Sequence, residues 1–260
     1  MADAWNPQQY ERFRAQRAQP FHDLLSLVQP RPAIRAIDLG CGTGELTRVL
    51  HDKLSAAETL GVDSSAAMLA RAQVHAGGGL RFEPSEIEAV TGHARWDLVF
   101  SNAALHWVQD HRTLFARLVG MLAEGGQLAV QIPCNHGHAS HRTAEVVAAE
   151  SPFREALSGW RREVPVLEPD AYAGLLHRLG LRDRIVRLEV YGHELPSRDE
   201  VVEWVKGTLL TDYESRLGPE LYPRFLDRYR EKLLPLLEEG TPYLYTYPRL
   251  FLSGRWKPVG

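Results

Sequence analysis

Over the first half of the chain, short apolar runs alternate with segments in which apolar residues recur every three or four positions. Residues 33–38, 59–63, 80–83, 96–101 and 127–132 are runs of strand length, bounded by Gly, Asp, Asn or Pro. Between the first two, Leu46, Val49, Leu50 and Leu54 fall on one helical face. Ala67, Met68, Ala70 and Ala72 lie on the next helix, and residues 112–122 place Leu114, Phe115, Leu118, Val119 and Leu122 on one side. Strand–helix alternation with short connections predicts a doubly wound α/β fold, a mostly parallel sheet with helices on both faces.

After Pro133 the rhythm changes. Residues 143–149 and 170–179 read as helices, 181–191 as a strand and 244–256 as a final, aromatic-rich strand, which makes seven in all. Ser197 and Glu200 have capping-box spacing ahead of Val201, Val202, Val205 and Leu209. Leu221, Tyr222, Phe225, Leu226, Tyr229, Leu233 and Leu237 form a long apolar helical face, with Pro223 and Pro235 at its ends or kinking it. The expected organisation is one domain over 1–260. It comprises an N-terminal helical lid (1–30), a ligand-binding core (33–132) and two helical insertions (133–180 and 197–240) forming a cap.

Composition narrows the class. Of 260 residues, 44% are hydrophobic and 24% charged, enough for a sizeable core. No run reaches the roughly 18 apolar residues of a membrane span, and no basic-then-apolar leader opens the chain, so a cytoplasmic protein is expected. Two cysteines, Cys41 and Cys134, are too few for a disulfide framework. With 33 acidic and 30 basic residues the net charge is −3, which argues against nucleic acid as a partner. Oligomeric state leaves no mark on the sequence.

The sharpest local feature is Asp38-Leu39-Gly40-Cys41-Gly42-Thr43-Gly44, after a strand and opening a helix. Glycine there lets backbone approach a ligand, and open parallel sheets bind ligands beyond the carboxyl ends of their strands. Asp63 ends the next strand, where a carboxylate can accept from the hydroxyls of a ribose. A dinucleotide loop wants Gly-x-Gly-x-x-Gly. Here Glu45 takes the third glycine's place and Asp38 precedes the loop, a charge pattern that favours a cationic nucleoside over a pyrophosphate.

These residues resemble the class I S-adenosylmethionine-dependent methyltransferases, whose fold is Rossmann-like. The resemblance implies S-adenosylmethionine as cofactor, with Asp38, Gly40, Gly42 and Gly44 around its methionine end. It further implies Asp63 on the ribose, Met68 near the adenine, and Glu86 with the Ile87 backbone at the adenine edge. Ser64, Asn102, Tyr10 and Arg14 complete the implied cofactor contacts. More specifically, the chain is similar to the trans-aconitate methyltransferase family through Trp5-Asn6-Pro7, Asn102-Ala103-Ala104-Leu105-His106-Trp107, Asp110-His111, 129–133, 203–208 and Pro248-Arg249-Leu250-Phe251. That similarity implies methyl-ester formation on a small polycarboxylate. It departs from the family pattern at Cys134, in the histidine-rich 136–141 and at 209–213, segments expected to wall the acceptor pocket.

A carboxylate acceptor is already ionised at pH 7 and needs no general base, so no catalytic side chain is expected. The non-reacting carboxylates need cations. Arg17, Lys206 and Arg249 are the candidates, with His106 and Trp107 lining the acceptor side. Were the acceptor a hydroxyl or amine, His106 would serve as base. A third reading is a cofactor-binding module without chemistry. His136, His138 and His141 lack the companions of a recognised metal motif, so no metal is expected.

Overall fold

The structure, a computed structural model, describes residues 14–92 and 95–257, with side chains from residue 18 onward. A first helix, α1 (Arg14–Ser26), precedes the alternating elements β1 (Arg35–Leu39), α2 (Glu45–Leu54), β2 (Glu58–Asp63), α3 (Ala66–Ala72), β3 (Leu80–Pro84), β4 (Trp96–Asn102), α4 (His111–Gly120) and β5 (Leu122–Pro133). Then follow α5 (Ala139–Ala148), α6 (Phe153–Ala156), α7 (Pro169–Arg178), β6 (Leu181–Leu195), α8 (Glu200–Lys206), α9 (Thr211–Leu233) and β7 (Tyr243–Trp256). The seven strands form one sheet in the order β3-β2-β1-β4-β5-β7-β6. Strands β1 to β5 pair in parallel and β7 runs antiparallel to β5. The seven strands and the mostly parallel doubly wound sheet are those the sequence predicts.

The chain divides into two compact units. Among the described residues, the first holds 18–133, 165–189 and 249–257, and the second holds 14–17, 134–164 and 190–248. In the first unit the central strands are buried on both faces. Ala36, Ile37, Leu39, Leu98, Val99, Phe100, Leu128, Ala129 and Val130 are fully inaccessible, as a parallel sheet covered by helices requires.

Two local expectations differ. On α2 the buried residues are Thr47, Leu50, His51 and Leu54, while Leu46 and Val49 stay half-buried. Partners distant in sequence turn the helix. Thr47 Oγ1 donates to Asp38 Oδ2 at 2.6 Å, and the His51 ring bonds to Thr59 Oγ1 at 2.8 Å and the Gly78 carbonyl at 3.0 Å. At α8 the N-cap is Asp199 rather than Ser197, with no side-chain cap hydrogen bond. Ser197 instead accepts the Glu200 N–H through its carbonyl, a backbone turn at 3.2 Å.

The second unit has an aromatic core. Trp204, Tyr213, Phe225, Tyr229 and Tyr245 are buried, with Tyr213 stacked on Phe225 at 4.9 Å. Two of its buried hydroxyls are paired, Tyr229 Oη donating to the Ser140 carbonyl and Tyr245 Oη accepting from Asn135 Nδ2. Tyr222 Oη, by contrast, is buried with no hydrogen-bond partner among the described residues. The 209–213 segment, expected as pocket wall, packs Leu209, Leu210 and Tyr213 into this core. Gly218, at φ 67°, breaks α9 into two helical stretches. Among the described residues, no helix is long and apolar enough to cross a membrane.

A buried polar relay fixes the turn after β4. His111 Nε2 bonds to the Leu105 carbonyl at 3.0 Å, which can only accept, so Nε2 carries the proton and Nδ1 accepts from Tyr172 Oη. The Tyr172 oxygen in turn accepts from the Leu167 N–H at 3.3 Å. Burial holds His111 below the usual histidine range, in keeping with a neutral ring. Replacing Tyr172 by Phe strands a buried acceptor, so Tyr172→Phe is expected to cost about 1–3 kcal/mol in urea unfolding. A change below about 0.5 kcal/mol would show that the relay contributes nothing to stability.

Candidate active site

β1 ends where the chain must bend tightly, and Gly40, Gly42 and Gly44 all adopt positive φ (77°, 56° and 74°). The three are not equivalent. A Cβ on Gly40 would lie 2.2 Å from Ala104 Cβ, and one on Gly44 would lie 2.7 Å from both Ala72 Cβ and Phe82 Cζ. A Cβ on Gly42 meets nothing within 4 Å. Gly40 and Gly44 therefore serve close packing, whereas Gly42 borders open space.

The loop is pinned to the end of β2. Gly40 N and Cys41 N donate to the Val62 carbonyl at 2.8 and 3.0 Å. The half-buried Asp63 accepts from Gly42 N at Oδ2 and from Ser65 N at Oδ1, each at 2.9 Å. Ser65 Oγ caps α3 by accepting from Met68 N at 3.3 Å. Ser64 is exposed and Met68 half-buried. The Ile87 side chain comes within 3.9 Å of the Gly40 Cβ position, opening a short 3-10 turn whose N-cap is the exposed Glu86. Loops after β1, β2, β3 and β4 thus meet at the carboxyl end of the sheet, where Asp38, Gly40, Gly42, Gly44, Asp63, Ser64, Met68, Glu86, Ile87 and Asn102 lie.

Asp38 is 5% exposed. Burial, opposed by the Thr47 hydroxyl and reinforced by the Asp63 charge, pushes its carboxyl up to about 7. Such a group gains most from a positive charge placed beside it. Burial, with the Asp38 and Asp63 charges, also drives the Cys41 thiol far above its ordinary value, which makes it a poor nucleophile.

His106 and Trp107 occupy a 3-10 turn after β4, their rings 4.8 Å apart, with Trp107 48% exposed. Arg249, on β7, is only 5% exposed. Lys206 lies in the second unit and pairs with Glu203 at 3.0 Å. Tyr10 and the side chains of Arg14 and Arg17 fall outside the described residues. In the histidine-rich segment, His138 caps α5 by accepting from Ser140 N at 3.1 Å. His141 is pushed down to about 3 by burial and by nearby Arg162, His138 and His136.

Sequence reasoning did not single out Thr47, took Ser101 only as the end of the fourth strand beside Asn102, and took Gln131 only as part of the family-like run 129–133. Ser101 Oγ donates to the Leu39 carbonyl at 2.8 Å, tying β4 to the end of β1. Apart from those segments, each reads as a polar residue inside an otherwise apolar strand or helix face.

The methyltransferase domain family matches residues 36–126. The trans-aconitate 2-methyltransferase of Deinococcus radiodurans is 47% identical over 258 residues, covering 96% of this chain and 98% of the relative. The trans-aconitate 2-methyltransferase of Streptomyces coelicolor is 38% identical, covering 100% of this chain and 88% of that protein. Among solved structures, the YcgJ protein of Bacillus subtilis superposes with a TM-score of 0.61 at 13% identity, over 92% of this chain and 98% of that one, a likeness of fold.

The glycine geometry separates two variants. Gly40→Ala must move Ala104 and adopt left-handed φ, for a cost of about 2–5 kcal/mol. Gly42→Ala meets only the φ penalty, about 1–2 kcal/mol. Equal destabilisation of the two in urea unfolding would overturn the distinction.

Proposed function

The chain belongs to the trans-aconitate 2-methyltransferase family, and on that premise we propose that it transfers the methyl group of S-adenosylmethionine to a carboxylate of trans-aconitate, forming a methyl ester. The observation that carries this is the 47% identity to a trans-aconitate 2-methyltransferase over nearly the whole of both chains.

The residues present suit the cofactor. Gly42 leaves room where a side chain would otherwise stand, and the Asp38 carboxyl is buried with the neutral Thr47 hydroxyl as its side-chain donor among the described residues. Each Asp63 oxygen accepts one backbone N–H and keeps a lone pair for a ribose hydroxyl. In this reading Asp38, Gly40, Gly42 and Gly44 hold the methionine end, with Asn102 beside it. Asp63 and Ser64 hold the ribose, while Met68, Glu86 and Ile87 border the adenine, and Tyr10 and Arg14 are the further cofactor contacts proposed. When bound, S-adenosylmethionine supplies an electrophilic methyl group on a sulfonium.

The protein's work is then alignment and exclusion of water. A carboxylate nucleophile carries no proton to remove, so His106 and Trp107 act as walls of the acceptor site. Attack joins an anion to a cationic centre and disperses both charges, so a dry site favours the transition state. The carboxylates that do not react need cations, for which Arg17, Lys206 and Arg249 are proposed.

Two experiments test this. Radiolabelled S-adenosylmethionine with trans-aconitate is expected to give base-labile label. Binding with no label transferred to trans-aconitate, cis-aconitate, citrate or isocitrate would refute ester formation on these acids.

The second experiment uses the Asp38 carboxyl, which is largely protonated below about pH 7 in the free protein. A cationic ligand favours the ionised form, so binding at lower pH must expel a proton. Affinity for S-adenosylmethionine, measured by calorimetry, is expected to weaken between pH 7 and 5.5 by up to about tenfold per unit. Asp38→Asn should flatten that slope. Equal slopes in the two proteins would remove Asp38 from the cofactor's charged end.

A further inference from the structure

The strand registers place five polar side chains on one face of the sheet. Asp38 stands level with Gly61 and Phe100, so Asp63 and Asn102, two positions further along their strands, share its face. Asn102 is level with Gln131, Gln131 with Phe251, and Pro133 with Arg249, which brings Gln131 and Arg249 to the same face. Across the sheet from β2 to β7 the polar groups change character. Asp63 and Asp38 come first, and Asn102 follows with a buried Oδ1 that has no hydrogen-bond partner among the described residues. On the other side stand the Gln131 amide and the Arg249 guanidinium.

Gln131 is fully inaccessible, and its Nε2 has no hydrogen-bond partner among the described residues. Its orientation is fixed by its neighbour. Arg249 has only donors, and its Nη1 meets Gln131 Oε1 at 3.5 Å, which leaves Nε2 to serve something else. A buried amide N–H without a partner is unfavourable, and a methionine of similar length would fill the same space without that penalty. The ligand such a donor awaits, beside a buried guanidinium, is an anion.

We propose that Gln131 Nε2 donates to a carboxylate of the acid acceptor beside Arg249, which makes Gln131 a specificity-determining residue of the methyl-acceptor site. This rests on the methyltransferase reading above. The sheet face is then divided by charge. Oxygen acceptors on β2, β1 and β4 face the cationic methyl donor, and nitrogen donors on β5 and β7 face the anionic acceptor. Gln131 and Asn102, paired across β4 and β5, mark the boundary.

A carboxylate could come from either ligand, since the methionine end of the cofactor carries one too. The test therefore measures two dissociation constants by calorimetry in Gln131→Met and Gln131→Glu, that of S-adenosylhomocysteine alone and that of trans-aconitate with S-adenosylhomocysteine present. Loss of one hydrogen bond to a charged group predicts that Gln131→Met binds trans-aconitate about tenfold or more weakly. Gln131→Glu, which adds a negative charge, should bind it more weakly still. S-adenosylhomocysteine binding should change less than twofold in both, which also reports that both fold. Trans-aconitate binding within twofold of wild type in both variants overturns the proposal. Parallel loss of S-adenosylhomocysteine affinity overturns it too, assigning the amide to the cofactor's carboxylate or to the fold. A wild-type protein that binds trans-aconitate without forming an ester refutes the reaction but leaves the Gln131 comparison decisive. One that does not bind the acid refutes both.

Discussion

The Asp63 carboxylate takes one N–H from the loop after β1 and another from the loop after its own strand. Those two loops are distant in sequence, and the glycine loop has little structure of its own. Three left-handed residues in five positions could adopt many shapes in isolation. Its shape is set by the end of β2, through Asp63 and the Val62 carbonyl, and by the close approach of Gly40 to Ala104 beyond β4. Convergence at the carboxyl ends of neighbouring parallel strands follows from the topology, since each strand hands its chain to a loop on the same edge. Asp63 turns that coincidence of edges into a defined surface.

The same carboxylate shows how much was legible. The strands were readable because buried parallel strands leave continuous apolar runs between turn signals, and both the glycine loop and Asp63 announce themselves at strand ends. What escaped depends on partners far along the chain. The α2 face could not be placed from spacing, because Thr47 and His51 are buried through Asp38, Thr59 and Gly78 rather than through apolarity. Tyr172 carries no local sign that it completes a relay with His111, 61 residues earlier. Ser197 and Glu200 had the spacing of a capping box, and a backbone turn took its place. Gln131 sits in the middle of Ala-Val-Gln-Ile-Pro, where periodicity reads it as one more strand position.

The division of charge across the sheet face bears on why this chemistry suits a buried site. In the proposed reaction, charge is dispersed as the carboxylate attacks, so a low-dielectric setting favours the transition state over the separated ions. That same setting penalises every other carboxylate of the acid, because an anion taken from water without a partner is strongly disfavoured. The two demands conflict unless the donors are placed unevenly. Donors around the reacting oxygen would stabilise its negative charge and slow attack, whereas donors around the remaining carboxylates bind the acid without weakening its nucleophile. A site of this kind needs hydrogen-bond donors on one side and bare acceptors on the other. Asn102 and Gln131, level with each other on adjacent strands, stand where the face changes from one to the other.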